Sequence, residues 1–346
     1  MHFASDNSGP AHPKVMRALI DANEGYAMPY GKDPATDAVV ARIRDVFEAP
    51  EAAVYLVGTG SSCNALALAT LCEPWETIFC SDVAHVQEDE CGAPEFFTGG
   101  AKLTLVDAPD GLMDPESLRA RVAATAQGVV HGVQRGPLTL TTVSERGTVY
   151  GLDHLRSLTG IAKDAGLPVH LDGARIANAL VGLDVSPADL TWRSGIDAVS
   201  FGGTKNGLLG VEAAIFFDPK HAWEFELRRK RGGHLFSKHR YLSAQMEAYL
   251  RDDLWLEMAR SANKSAARLA QGLRENNDAR LLHEPQANMV YCEFPRAAHL
   301  RARDAGAQFY SMGNLDGPDD AMVPARLVCD WSASDDNTER FLDLIG

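Results

Sequence analysis

The sequence lacks the features of secreted and membrane-spanning proteins. Its six cysteines are scattered and include no C-x-x-C pair, and in a chain of this length such usage indicates reduced thiols. No apolar run approaches the roughly 20 residues that span a bilayer. The first residues, MHFASDNSGP, have neither the charged region nor the apolar core of a signal peptide. We therefore expect a cytoplasmic protein without a membrane partner.

Positive charge is also scarce, because the formal net charge is -14. An acidic surface repels nucleic acids and anionic membranes, so neither is expected as a partner. The one basic cluster, ELRRKRGGH at Glu226 to His234, is short. It is either a solvated helix end or an anion site.

The chain has no internal repeat or low-complexity block, and 45% of its 346 residues are hydrophobic. Short apolar runs alternate with helix-like segments from residue 50 onwards, which predicts an α/β fold with a mostly parallel sheet sandwiched by helices. The predicted strands of this sheet are 53–57, 77–81, 102–106, 138–143, 168–172, 197–201 and 212–217.

The pattern changes after residue 220. Residues 239–277 predict one long helix, and two strand-like runs follow at 287–294 and 325–331. We expect an N-terminal arm at 1–45, a large cofactor-binding domain at 46–244 and a smaller C-terminal α+β domain at 245–346.

Loops that leave the carboxyl ends of parallel strands form the ligand crevice of such a sheet. The loop GTGSSCN follows the first strand and opens a helix, which suits a phosphate group. It nearly matches the dinucleotide motif G-x-G-x-x-G, although Cys63 occupies the third glycine position, and Asp82 lies where a ribose-binding acid would be. A tight turn with a helix cap, or an NAD-binding module, are the alternatives for this loop.

Two further strand ends carry charged residues. SFGGTKNG is not a P-loop, and its Lys205 lies among glycines that would allow the backbone to approach a flat cofactor. Asp172 ends an apolar strand in HLDGAR and needs a cation, which is either Arg175 or a protonated ring nitrogen. Taken alone, Lys205 would be a surface residue in a turn. Together with a phosphate-binding loop, Asp172 and Lys205 are what pyridoxal phosphate requires.

Several segments also resemble the low-specificity L-threonine aldolases, which are pyridoxal-phosphate enzymes of the aspartate-aminotransferase fold (fold type I). These segments are FASDNSG, AHVQEDECGAPEFF, HLDGARIANA, LTWRSGIDAVSFGGTKNG and RLVCDW, in the family's order. The similarity covers residues 3 to 340 and points to the phenylserine aldolase-like branch.

The resemblance implies a role for each matching residue. Lys205 would hold the cofactor aldehyde, Asp172 would pair with the ring nitrogen, and Thr59, Gly60 and Ser61 would bind the phosphate. His85 would stack on the cofactor ring and is the expected acceptor of the substrate's hydroxyl proton. No metal is expected.

The remaining matches concern the substrate and a neighbouring subunit. Ser5, Arg175 and Arg326 would hold the substrate carboxylate, with Arg175 also close to the cofactor. The other three matches are Glu90 near a catalytic water, and Tyr30 and Lys230 reaching the neighbouring subunit's site. A homo-oligomer, as a dimer of dimers, is therefore expected.

One position departs from the family. Many members have a second histidine in a segment E-N-T-H-N, and here the corresponding segment is TTVSERG, with Ser144 at the histidine position. His131 lies nearby, but we do not assign it this role.

The expected reaction is retro-aldol cleavage of a β-hydroxy-α-amino acid, such as threonine, allo-threonine or phenylserine, to glycine and an aldehyde. A β-eliminating lyase or an aminotransferase would share the same cofactor residues, and both remain alternatives.

Overall fold

The computed structural model describes residues 1–346 and contains two β-sheets. The large sheet has seven strands in the order β1-β7-β6-β5-β4-β2-β3. Its strands are β1 Ala53–Val57, β2 Glu76–Ser81, β3 Lys102–Val106, β4 Gln134–Thr141, β5 Val169–Gly173, β6 Ala198–Phe201 and β7 Glu212–Phe216.

All strands of the large sheet except β7 run in one direction, since β7 pairs antiparallel with both β1 and β6. The other pairs, β2 with β3 and β4, and β5 with β4 and β6, are parallel. The predicted, mostly parallel sheet is thus present, and six strands end at the same edge. The fourth strand begins earlier and ends earlier than the predicted 138–143.

Fourteen α-helices surround the two sheets. They are α1 Pro13–Asp21, α2 Pro34–Val46, α3 Gly60–Leu71, α4 His85–Glu88, α5 Ala93–Thr98, α6 Pro115–Ala124, α7 Leu152–Asp164, α8 Ile176–Leu183, α9 Pro187–Leu190, α10 Ala222–Arg231, α11 Arg240–Leu250, α12 Leu254–Glu275, α13 Arg296–Asp304 and α14 Asp335–Ile345. None of them combines the length and the apolar character that crossing a bilayer requires.

Local sequence signals start several of these helices. Asp114 caps α6 by accepting the amide of Ser117 at 2.7 Å, and Pro115 follows at the first helical position. This is the cap that the sequence predicts. Asp33 caps α2 in the same way, through the amides of Ala35 and Thr36.

The long helix predicted at 239–277 is interrupted. Helices α11 and α12 are separated by a single turn at Arg251–Asp253, where Asp252 and Asp253 adopt left-handed backbone angles (φ 53° and 54°). Aspartate tolerates this region better than most residues do. The apolar periodicity therefore continues although the helix itself is interrupted.

The second sheet is antiparallel and has the order β10-β11-β9-β8, with β8 Arg280–Leu281, β9 Met289–Pro295, β10 Tyr310–Ser311 and β11 Met322–Val328. It packs on its own core, which includes Phe294, Phe309 and Phe341. The core of the large sheet also includes Met246, Trp255 and Met289, so the two cores do not divide at residue 245, and the domain division stays a prediction.

The N-terminal segment contacts both cores. Phe3 is buried in the core of the small sheet, where its amide donates to Gln308 and its carbonyl oxygen accepts from Val328. Val15 and Val39, on α1 and α2, are buried in the core of the large sheet. The first residues therefore lie against both sheets.

Candidate active site

A cleft of about 360 Å³ lies at the edge of the large sheet where its parallel strands end. Most of the residues predicted to bind the cofactor line it. They are Thr59, Gly60, Ser61, His85, Asp172 and Lys205, and the cleft also contains Asn7, Asn64, Thr204 and Glu212.

The N-terminus of α3 lines one side of the cleft. Thr59 caps this helix, and its Oγ1 accepts the amide of Ser62 at 3.2 Å. Gly60 and Ser61 are in the first turn, where amides have no acceptor within the helix. These amides and the positive end of the helix dipole can bind an anion such as a phosphate.

A chain of hydrogen bonds connects the other polar residues. Asn64 Nδ2 donates to both Asp172 Oδ2 and Glu90 Oε1, at 2.8 Å each. Glu90 Oε1 is also 2.8 Å from His85 Nδ1. Glu90 therefore lies behind His85, and its carboxylate orients the imidazole that lines the cleft.

The charges of this group favour definite protonation states. Burial opposes ionisation of Asp172, but Lys205 and His85 outweigh it and hold the pKa of Asp172 below its ordinary value. Burial, with the nearby charge of Arg175, lowers the pKa of the Lys205 amine. Asp172 is thus available as an anion for a protonated partner, and Lys205 gives up its proton more readily than an exposed lysine does.

The glycines beside Lys205 serve protein packing. A Cβ on Gly202 would lie 2.4 Å from the carbonyl oxygen of Ala174, and one on Gly203 would lie 2.4 Å from a methyl carbon of Leu208. This packing gives these glycines a role within the protein, and their expected role beside a flat cofactor stays a prediction. They let the loop that carries Lys205 pack closely on neighbouring backbone.

Arg175 does not pair with Asp172. Its Nε and Nη2 donate to the two carboxylate oxygens of Asp6 at 2.6 and 2.9 Å. This pair is almost completely buried, with 12% of the Arg175 side chain and 1% of the Asp6 side chain exposed. Asn288 also donates to Asp6, at 3.1 Å. The N-terminal segment thus fixes the guanidinium near the cleft.

The other predicted carboxylate-binding residues lie along the same N-terminal segment. Arg326 on β11 donates to the carbonyl oxygen of Ala4 at 3.1 Å. Its guanidinium also lies 4.9 Å from the centre of the Tyr310 ring. Ser5 caps the short turn Asp6–Ser8 and accepts the amide of Asn7 at 3.2 Å. Ser5 and Arg326 are therefore close to each other in the fold.

Tyr30 and Lys230 form a pair outside the cleft of this chain. The Lys230 ammonium lies 5.0 Å from the centre of the Tyr30 ring, and both residues are exposed. Within one chain they do not join the other predicted residues.

Sequence reasoning misses three acidic or amide residues of the site. Asn64 lies in an otherwise small and apolar helix, and Glu145 follows Ser144 directly. Glu212 begins β7 as the one charged residue of an apolar strand, and this signal could have identified it. Its carboxylate accepts the amide of Gly203 at 2.6 Å, and burial raises its pKa to about 7.

Comparison with known proteins gives consistent results. The sequence profile of the family described as beta-eliminating lyase matches residues 2–295. The low specificity L-threonine aldolase of Pseudomonas aeruginosa is 38% identical over 99% of this chain and 95% of its own length. The enzyme of the same name from a Pseudomonas sp. is 37% identical over 96% of this chain and 93% of its own.

The solved structures confirm the fold class. A threonine aldolase of Leishmania major superposes with a TM-score of 0.91 at 25% identity, covering 99% of this chain and 98% of its own. A serine palmitoyltransferase of Sphingomonas wittichii, at 15% identity, has a TM-score of 0.74 over 100% of this chain and 86% of its own, and it shares the fold. The profile match and the near-complete coverage at 37–38% identity show that the chain belongs to the beta-eliminating lyase family and, within it, to the low-specificity L-threonine aldolases.

Proposed function

We propose that the chain is a pyridoxal-phosphate-dependent aldehyde-lyase that cleaves threonine, allo-threonine and related β-hydroxy-α-amino acids to glycine and an aldehyde. The observation that carries this proposal is the position of Asp172 and Lys205 in one cleft with the N-terminus of α3. The membership of the aldolase family gives the reaction class.

The residues of the cleft fit the cofactor. Its phosphate would be held at Thr59, Gly60 and Ser61, where the first-turn amides of α3 are free. Asp172, ionised in this site, would bind the protonated ring nitrogen, and the Lys205 amine would bind the aldehyde carbon. When bound, pyridoxal phosphate supplies an aldehyde that condenses with amines and a conjugated ring that accepts the electron pair of a broken bond.

The protein's own residues orient the substrate. Arg175 and Arg326 would bind the substrate carboxylate, because guanidinium groups match carboxylates in a bidentate geometry. The ion pair with Asp6 holds the Arg175 side chain in one orientation. The conformational entropy of this side chain is therefore already lost before the substrate binds. His85, oriented by Glu90, would cover one face of the cofactor ring.

The cofactor assignment is tested by borohydride reduction of the purified protein and peptide mapping. We expect a pyridoxyl adduct on Lys205 and none in Lys205→Ala. Lys220→Arg, which changes an exposed lysine paired with Asp218, is the matched control and should retain the adduct. A colourless protein, or an adduct on another lysine, would contradict the assignment.

The reaction class is tested by product analysis with threonine and phenylserine. We expect equal amounts of glycine and aldehyde. Release of ammonia, or transfer of the amino group to an oxo acid, would instead favour the β-eliminating lyase or the aminotransferase. Because the matching family is described as beta-eliminating lyase, the assay for ammonia release is the more important of the two comparisons.

We also propose that the protein is a cytoplasmic homotetramer, as a dimer of dimers. Exposed apolar side chains in and around the Tyr30–Lys230 pair support an interface there, namely Tyr26, Met28, Tyr30 and Phe236. Light scattering gives the subunit number. If Lys230 reaches the partner's phosphate, Lys230→Ala should weaken cofactor binding without unfolding the chain.

A further inference from the structure

Ser144, which the resemblance places at a histidine position, is not available to accept a proton in the cleft. Its Oγ is 2.6 Å from Thr148 Oγ1, and Thr148 Oγ1 donates its only proton to the carbonyl oxygen of Asp110. Ser144 therefore donates to Thr148. It also accepts the amides of Arg146 and Thr148 at 3.3 Å each. The Ser144 hydroxyl therefore makes all its hydrogen bonds within the turn that follows β4.

Glu145, the next residue, contacts the backbone of His85, which lines the cleft. Its Oε1 accepts the backbone amide of His85 at 2.6 Å. Its Oε2 is sequestered from solvent and has no hydrogen-bond partner. The Tyr291 hydroxyl donates to the carbonyl oxygen of Glu145 and fixes the backbone there. One carboxylate oxygen is thus held against His85, and the other is left free.

We propose that Glu145 is the acid–base group of this site and that its Oε2 takes the substrate's hydroxyl proton during carbon–carbon cleavage. This inference rests on the proposed function. The hydroxyl O–H bond breaks, its proton moves to Oε2, and its electron pair forms the second C–O bond of the aldehyde. The Cα–Cβ pair stays with the carbon that becomes the glycine Cα, and that carbon takes up one proton when glycine forms.

The ionisation of Glu145 is suited to this role. Burial, with the charge of Asp172, raises its pKa to about 7, and the backbone amides of Glu145 and His85 only partly offset this. A group with a pKa near the working pH both accepts and releases protons efficiently. Charged or titratable groups on several elements interact electrostatically with Glu145, namely Cys80, Tyr150, Asp172, Arg175 and Tyr291. The backbone amide of His85 donates to its carboxylate.

His85 is less suited to accept a proton than the sequence predicts. Its hydrogen bond to Glu90, together with the Asp172 charge, outweighs burial and raises its pKa above the ordinary value. Near neutral pH the imidazole is therefore more often protonated than an isolated histidine, and a protonated ring cannot act as a base. This leaves His85 to cover the cofactor ring while Glu145 handles the proton.

The test is Glu145→Gln, with Ser144→Ala as the matched control in the same turn. The amide side chain of E145Q would keep an oxygen for the His85 amide, so the start of α4 stays capped and only the acid–base capacity is lost. We expect threonine cleavage to fall by about 10²–10⁴-fold in E145Q and to stay within about threefold of wild type in S144A. Exchange of the glycine α-proton with D₂O, which involves no hydroxyl, should be retained in both variants.

A second readout needs no cofactor. Infrared difference spectra of the apoprotein should show two carboxyl groups that titrate near pH 7, Glu145 and Glu212, and E145Q should lose one of them and keep the other. Near-normal cleavage by E145Q, loss of glycine exchange together with cleavage, or an unchanged infrared titration would each overturn the inference. If wild-type protein forms no glycine and aldehyde, the proposed function itself fails, whereas a deficit confined to E145Q cleavage supports Glu145.

Discussion

Arg175 binds Asp6 through two parallel hydrogen bonds, across 169 residues of sequence. Burial opposes ionisation of Asp6, but the positive charge of Arg175 outweighs it and holds the pKa of Asp6 below its ordinary value. Breaking a buried pair by removing one partner is strongly destabilising, because the other charge is left without compensation.

Asp6→Asn should therefore lower the free energy of unfolding by roughly 3 kcal/mol and raise KM for the amino acid, since Arg175 loses its orientation. Chemical denaturation of the apoprotein and steady-state kinetics measure the two effects. An unchanged unfolding midpoint would show that Asp6 does not hold Arg175.

Asn64 donates hydrogen bonds to two carboxylates of the site, those of Asp172 and Glu90. In Asn64→Ala, the carboxylates of Asp172 and Glu90 each lose a buried donor, at a cost of about 1–3 kcal/mol each. We expect weaker cofactor binding, measured by absorbance titration, and slower turnover. Asn178→Ala is the control, because Asn178 is equally buried and donates to Asn263 at 3.0 Å. It should reduce stability but not cofactor affinity.

Glu90 raises the pKa of His85 through their hydrogen bond. Glu90→Gln replaces the carboxylate with a neutral amide, so the pKa of His85 should fall towards or below its ordinary value. NMR titration of the histidine ring protons follows this change. His170 is an internal reference, since burial lowers its pKa to about 4 and its partners are Thr139 and Ser200. A His85 pKa that does not move would contradict the prediction.

Glu212 makes stability depend on pH. Its folded pKa of about 7 lies above the ordinary value of 4.5, so between these values the folded state holds more protons than the unfolded state. Stability then decreases as pH rises through this window. Glu212→Gln removes this loss, and the difference in unfolding free energy between variant and wild type should grow by roughly 3 kcal/mol from the lower to the higher pH. The charge of Lys205 favours ionised Glu212 and so reduces the pH dependence of stability. The apoprotein of Lys205→Ala should therefore show a larger pH dependence.

The parts of the fold and site that depend on local pattern can be predicted from the sequence. The strand end at Asp172 and the loop at Lys205 are identifiable because parallel strands place their carboxyl ends at one edge. The break at Asp252 cannot be found in this way, since apolar periodicity is the same on both sides of it. The Asp6–Arg175 pair cannot be found either, because no local rule connects residues so far apart.

The position of the N-terminal segment has a consequence for biosynthesis. Asp6 bonds to Asn288, 282 residues later in the chain, and Phe3 accepts from Val328. A ribosome releases the N-terminus first, so these two contacts cannot form until most of the polypeptide has emerged, although Arg175, the other partner of Asp6, emerges earlier. The contacts between the N-terminal segment and the small sheet are therefore among the last parts of the fold to form, and a nascent or C-terminally truncated chain lacks them.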